Sequence, residues 1–296
     1  MKNNYLSFFL ILFIFCANAQ ELFLIEETDS IQLFETHLSN TSESNVFPAF
    51  YKEGLIYVSN YKSNDHKLYY SDLQLPSLKI SLGSKFNFGA ATVFENEIYF
   101  TGNSKKMDKY GYNNSTIYKG IFEDLKVSKI KKLEFCDYNY SYSDPSISTD
   151  GKQLLVVSSE RDRFHIIEFV RNDIGQWEKQ SVVFISHPHF DIINPTIYDE
   201  NTVYFSTNIY NGKIIGVKYS NDEKGEVVVE EVKREEGDFN IYKIERTNGN
   251  WGIPVKAHEF NTEYDELGVL FDSDKSGYLT TFRYNSNDNI YYFILK

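Results

Sequence analysis

Basic residues are scarce in this chain of 296 residues: 30 lysines and arginines stand against 42 aspartates and glutamates, for a formal net charge of −12. Nucleic-acid phosphates demand clustered Lys and Arg, and docking on anionic lipid demands the same, so the balance argues against both partners. Cysteine is almost missing. Cys16 lies in the N-terminal apolar run and Cys136 in "KKLEFCDYNY", so the chain without its leader has no second thiol for an internal disulfide and must rely on core burial. The apolar neighbours of Cys136 fit a buried thiol. Helical periodicity is nearly absent after the first twenty residues, and no later segment approaches a membrane-spanning apolar run. Chemistry-bearing motifs are lacking as well: there is no glycine-rich phosphate loop and no G-x-S-x-G elbow of a serine hydrolase.

The opening, "MKNNYLSFFLILFIFCANAQ", has a positive Lys2, an apolar stretch over 6–15 and small residues at Ala17 and Ala19. This is the layout of a secretory signal peptide over 1–19, leaving one domain over 20–296. The apolar stretch is shorter than a bilayer span, and Phe15 occupies the position where a lipobox needs a small residue. The expectation is an exported protein, periplasmic or at the cell surface, monomeric on its own and without direct membrane insertion.

What the chain has in abundance is aromatic and β-branched residues: 23 Tyr and 24 Phe, which suit pleated surfaces. Short runs of them alternate with Asn, Asp, Ser and Gly clusters, as strands joined by turns do. The runs repeat. "FPAFYKEGLIYVSNYK" (47–62), "GAATVFENEIYFTGNSK" (89–105), "DPSISTDGKQLLVVSSER" (144–161), "NPTIYDENTVYFSTNIY" (194–210) and "ELGVLFDSDKSGYLTTFR" (266–283) each read as strand, polar turn, strand. Glu53-Gly54, Asp150-Gly151 and Glu200-Asn201 suit tight hairpins, and Pro48, Pro145 and Pro195 are read at the first strand's start. A third strand follows each hairpin (67–73, 115–122, 164–170, 239–245, 289–295), and a weaker fourth follows most (78–83, 128–135, 178–185, 252–260). Repeats starting at 48, 90, 145, 195 and 268 match the length of a four-stranded propeller blade. The fifth repeat lacks a fourth strand, and "SIQLFETHLS" (30–39) is free to supply it. The fold expected is therefore all-β: a β-propeller of five four-stranded blades, closed by the N-terminal strand pairing with the last blade. The extra strand pair over 212–238 is read as an insertion in blade four, a sixth degenerate blade being the alternative.

"DPSISTDGKQLLVVSSER" resembles the TolB-type (WD40-like) propeller repeat, with Asp150, Gly151, Lys152, Ser159 and Arg161 matching and Thr149 replacing a proline. Residues 242–293 are similar to repeats of OmpA-associated cell-envelope proteins, through Trp251, Pro254, Asn261-Thr262, Asp265-Glu266, Gly277-Tyr278, Arg283 and Asp288-Asn289-Ile290-Tyr291. The resemblance implies a propeller of the cell envelope and is weak for function. No OmpA-like domain follows Lys296, so a peptidoglycan role does not carry over.

Several residues are candidates for chemistry. Asp144, Asp265 and Glu266 stand at innermost-strand starts, where a channel rim would place paired carboxylates for glycoside hydrolysis; short acceptors there also cap turns. Asp144, Arg161, Asn194, Glu266 and Arg283 are the binding candidates. His187, His189 and Asp191 in "SHPHFD" form the strongest metal pattern, an incomplete one, and "FDSDKSG" lacks a full calcium ladder. No metal and no cofactor is expected. The reading that follows is a secreted, non-catalytic propeller binding a protein or glycan of the envelope. The alternative is a five-bladed glycoside hydrolase using paired carboxylates in the central pocket.

Overall fold

The computed structural model describes residues 23–39, 41–61, 65–72, 77–82, 89–160, 163–188, 190–208, 214–234, 237–284 and 287–296. The proposed signal peptide lies outside them. The chain begins with β1 (Leu24–Glu27) and β2 (Ile31–Phe34). Blade 1 is β3 (Asn45–Tyr51), β4 (Gly54–Ser59), β5 (Lys67–Ser71) and β6 (Leu78–Lys79). Blade 2 is β7 (Ala91–Phe94), β8 (Glu97–Asn103), β9 (Ser115–Glu123) and β10 (Lys126–Lys132). Blade 3 is β11 (Tyr142–Ile147), β12 (Gln153–Ser158), β13 (His165–Arg171) and β14 (Trp177–Ile185). Blade 4 is β15 (Ile192–Asp199) and β16 (Thr202–Thr207), followed after a separate hairpin of β17 (Ile214–Asn221) and β18 (Val227–Arg234) by β19 (Asn240–Thr247), β20 (Asn250–Trp251) and β21 (Val255–Lys256). Blade 5 is β22 (Glu266–Ser273), β23 (Ser276–Thr281) and β24 (Asn289–Leu295), completed by β2, which pairs with β24 from Ile31↔Leu295 to Phe34↔Tyr292. All pairs within the blades are antiparallel, and the order is β1-β2-β24-β23-β22 in the closing sheet.

This is a five-bladed β-propeller. The ring is visible in its packing, because the apolar core is five separate clusters, one for each pair of adjacent blades. An open stack of five blades would have only four such interfaces. The second strand of each blade is buried on both faces, which is why these strands read as unbroken apolar runs. In β12, Leu154 and Val156 join the cluster shared with blade 2, while Leu155 and Val157 join the one shared with blade 4. Ile31 and Leu33 of β2, 1% and 0% exposed, sit in the cluster between blades 4 and 5. Cys136 is buried between blades 2 and 3, and burial pushes its thiol pKa up.

The prolines sit differently from the sequence reading. Pro48, Pro145 and Pro195 are each the fourth residue of their strand. The pairing register skips there, from Val46 to Ala49, from Ser143 to Ser146 and from Ile193 to Thr196. Each proline thus occupies a β-bulge, where its missing N–H costs no ladder bond.

Candidate functional site

The bulges position the candidate site. The residue before each proline takes a left-handed backbone, with φ of 56° at Phe47, 50° at Asp144 and 50° at Asn194. A preceding residue ordinarily stays in the extended region, and left-handed backbone at non-glycine residues concentrates where the surrounding structure enforces it. Here the enforcement is a chain of hydrogen bonds around the axis. The Asp144 N–H donates to Thr101 Oγ1 of blade 2 at 3.0 Å. The Asp144 carboxylate accepts from Ser143 Oγ at 2.9 Å and from the backbone N–H of Asn194 in blade 4. Asn194 Nδ2 in turn donates to Leu267 O of blade 5 at 3.3 Å. Gly268 is required where that amide lands: its φ is +151°, and a Cβ there would lie 1.8 Å from Asn194 Nδ2.

Below this ring the channel opens into a cavity of about 410 Å³ lined by all five innermost strands. Its wall is mostly apolar, with Phe47, Phe50, Phe94, Ile147, Ile197 and Phe271 prominent. Asp144 directly precedes Pro145 of this cavity's wall, on the side of the face on which the innermost strands begin, the mouth face. Asp144 is half-buried, and desolvation pushes its carboxyl pKa up to about 6, against the two hydrogen bonds that favour the charge. No ion pair to Asp144 occurs among the described residues.

The other predicted residues fall in different places. Asp265, just before β22, accepts the Phe239 N–H at 2.7 Å. It also faces Asp288, whose carboxyl burial raises; the charge of Asp265 adds to that, and Ser44 and His66 oppose it. Glu266, 0% exposed, is paired at 2.9 Å with Arg283, whose guanidinium also reaches Glu26 of β1 at 3.2 Å and the Phe260 carbonyl. These two residues lock blade 5 internally. Burial raises the Glu266 pKa although Arg283 opposes it. The structure thus brings Asp144 and Asn194 together, and places Glu266 and Arg283 in a separate buried ion pair. Arg161 and His189 lie outside the described residues. His187 is exposed, its Nδ1 at 2.8 Å from Pro188 O, and Asp191 is exposed beside it. Among the described residues no group of three His, Cys, Asp or Glu side chains could hold a metal ion.

No family model matches the chain, and no curated protein matches it. Solved structures do. A thermostable family-43 glycoside hydrolase aligns over 88% of this chain and 91% of its own, with TM-score 0.52 and 13% identity. The endo-arabinase from Bacteroides thetaiotaomicron aligns over 88% and 97%, with TM-score 0.54 and 14% identity. TolB from Acinetobacter baumannii aligns over 86% of this chain and 55% of its own, at TM-score 0.45 and 12% identity.

At these identities the likeness establishes the fold. It also corrects the expectation of a non-catalytic module, and with it the expectation that the chain is no enzyme. The family-43 glycoside hydrolase and the endo-arabinase, both matched nearly end to end, are glycosidases, not scaffolds. That expectation treated the acids of the repeats as turn caps alone. Asp144 differs from a solvent-facing cap in that desolvation raises its pKa.

Sequence reasoning missed two further groups. Asp288 and His66 join Asp265 at the mouth only because the N-terminal strand closes the ring next to blade 1. The two tryptophans form matching latches. Arg171 lies over Trp177 at 5.5 Å and pairs with Glu97 of blade 2 at 2.5 Å; Arg246 lies over Trp251 at 4.2 Å and pairs with Glu168 of blade 3 at 2.6 Å. The signal was present: each Trp follows an Arg at the end of a third strand by five or six residues.

Proposed function

We propose that this chain is an exported glycoside hydrolase whose acid–base carboxyl is Asp144 and whose second carboxyl is Asp265. The observation that carries this reading is the place of Asp144, on the innermost strand of blade 3 and hydrogen-bonded between blades 2 and 4, where burial pushes its pKa up to about 6 and no cation pairs with it among the described residues. A carboxyl poised there is protonated in mildly acidic solution and can deliver its proton to a glycosidic oxygen; it can then take one back from water. A glycosidase needs a second carboxylate on the other side of the scissile bond. Asp265 is at the mouth face with an open oxygen, whereas Glu266 is tied to Arg283. Asn194, held against Gly268 and touching Asp144, positions the acid and does not itself react.

The TolB-type resemblance of the repeats enters here as a proposal about their ancestry. The signal-peptide layout supports export, and a substrate outside the cytoplasm suits a polysaccharide of the envelope or surroundings. The test is release of reducing ends from a panel of arabinan, xylan and polygalacturonate by residues 20–296, with Asp144→Asn and Asp265→Asn alongside. Turnover of one polymer, lost in Asp144→Asn, supports the proposal. No release from any polymer, or release equal in Asp144→Asn, refutes it.

A further inference from the structure

The loop between β8 and β9, residues 104–114, lies on the mouth face and is built rather than loose. Asp108 Oδ1 accepts the N–H of Tyr110 and of Tyr112, both at 2.8 Å, and Oδ2 accepts from Asn114 Nδ2 at 3.3 Å. The Asp108 N–H donates to Tyr112 O at 2.9 Å, and Gly111, at φ +86°, makes the turn between them. Asn114 then ties the loop to the segment that leads into the strand carrying Asp144, donating to Tyr138 O and accepting from Ser141 Oγ, each at 3.1 Å. All this order presents side chains to water: Tyr110 is 72% exposed, Tyr112 69% and Met107 66%, with Tyr138 beside them. Exposed apolar groups are ordinarily scattered singly. Four on one fixed loop and its neighbour are a contact surface.

The charge around them is of the opposite sign to that of the chain. From Gly89 to Lys132 there are eight lysines and five carboxylates, within a protein of net charge −12. Lys109 Nζ stands 4.8 Å from the Tyr110 ring centre, and Lys106 Nζ 5.6 Å from that of Tyr138. The lysines of β10 have an ordinary use, since charge on an edge strand blocks edge-to-edge pairing. Those of the 104–114 loop guard no edge. At physiological salt a charge acts over about 8 Å, and within the loop Lys105, Lys106 and Lys109 outnumber the single carboxylate of Asp108, so the field at the rings is net positive.

We propose that this loop is a binding platform for an acidic polysaccharide, a chain of uronate sugars, leading into the channel mouth. The tyrosine faces offer flat apolar surface to the C–H faces of sugar rings, and they lose little conformational entropy in doing so. Lys106 and Lys109 lie beside those rings, where the uronate carboxylates of a stacked chain would fall. The inference rests on, and narrows, the glycosidase reading of the mouth.

The test is affinity electrophoresis of residues 20–296 through gels containing polygalacturonate or neutral arabinan. Polygalacturonate is expected to retard the protein and arabinan not. Tyr110→Ala/Tyr112→Ala should weaken retardation about tenfold, and Lys106→Gln/Lys109→Gln should weaken it and flatten its dependence on salt. Both variants alter exposed side chains, so an unchanged thermal midpoint checks their folding. Asp144→Asn should be retarded like the parent. Absence of retardation, equal retardation by arabinan, or retardation unaffected by the tyrosine pair overturns the platform. Retardation by polygalacturonate without hydrolysis of any polymer supports the platform and removes the glycosidase reading.

Discussion

Asp144→Asn separates the proposed acid from the architecture that holds it. In the folded chain Asp144 titrates at about 6, against an ordinary 3.8. A pKa raised by folding means that the native state binds the proton more tightly. The associated stability is complete below about pH 4 and is lost as pH climbs through 6. At about 1.4 kcal/mol per pH unit, holding the carboxylate charged at pH 7.5 costs about 3 kcal/mol, and at pH 4.5 about 1 kcal/mol. The amide of the variant is neutral at both values and can still accept the Asn194 N–H. Relative to the parent, Asp144→Asn should therefore gain about 2 kcal/mol in unfolding free energy between pH 4.5 and 7.5. All other titrating groups are common to the two proteins and cancel in the comparison. Urea unfolding at both pH values measures the difference directly. A parent–variant gap that does not change with pH would refute the desolvated carboxyl, and the proposed acid with it.

Three further outcomes follow from the packing. Arg246→Met strands Glu168, 2% exposed at its side chain, and should cost about 3–5 kcal/mol, while Glu168→Gln/Arg246→Met should recover much of it; urea midpoints of the single and double variants decide. Gly268→Ala drives a methyl into Asn194 Nδ2 and forbids the backbone, for a loss of about 2–4 kcal/mol; Gly268→Ala/Asn194→Gly should recover part of it, and a wild-type midpoint for Gly268→Ala alone would count against the ring of contacts. Removing residues 20–35 deletes β2 and with it Ile31 and Leu33, each worth about 2–4 kcal/mol when buried. The truncated chain should lose cooperative unfolding in a calorimeter, and a sharp transition near the full-length midpoint would disprove closure by this strand.

The fold was legible because propeller packing writes itself into local pattern. A second strand buried on both faces must be apolar throughout, so "LLVVS" and "TVYFS" mark blade centres without reference to anything distant. Closure was legible for a related reason: a fifth repeat short of one strand, and an N-terminal strand with no other partner. The site was only half legible. Asp144 and Asn194 announced themselves by preceding proline in equivalent repeats, but that pattern alone cannot distinguish a cap from a working acid. The distinction lies in desolvation and in the lack of a cation partner among the described residues, and both are properties of the ring. Glu266 shows the converse. Its place in the repeat matches an active carboxyl, yet Arg283, seventeen residues on, draws it into the blade. Asp288 stood in a repeat motif and His66 in no motif, and neither pattern pointed to the other, since only ring closure brings blade 5 beside blade 1.

The same reasoning explains why structure and chemistry share one device here. A bulge with a left-handed residue before proline is strained, and each blade must hold it in place by contacts to the next. Those contacts crowd Asp144 and desolvate its carboxyl in part: Thr101 takes its N–H, Asn194 meets its oxygen, and Gly268 leaves room for Asn194 to do so. An acid built into such a ring acquires its raised pKa from the act of closing the propeller. Its protonation should therefore report on blade contacts as well as on substrate. Loosening the ring at a distance, as Gly268→Ala does, should return the acid limb of any pH–activity profile toward the ordinary carboxyl range.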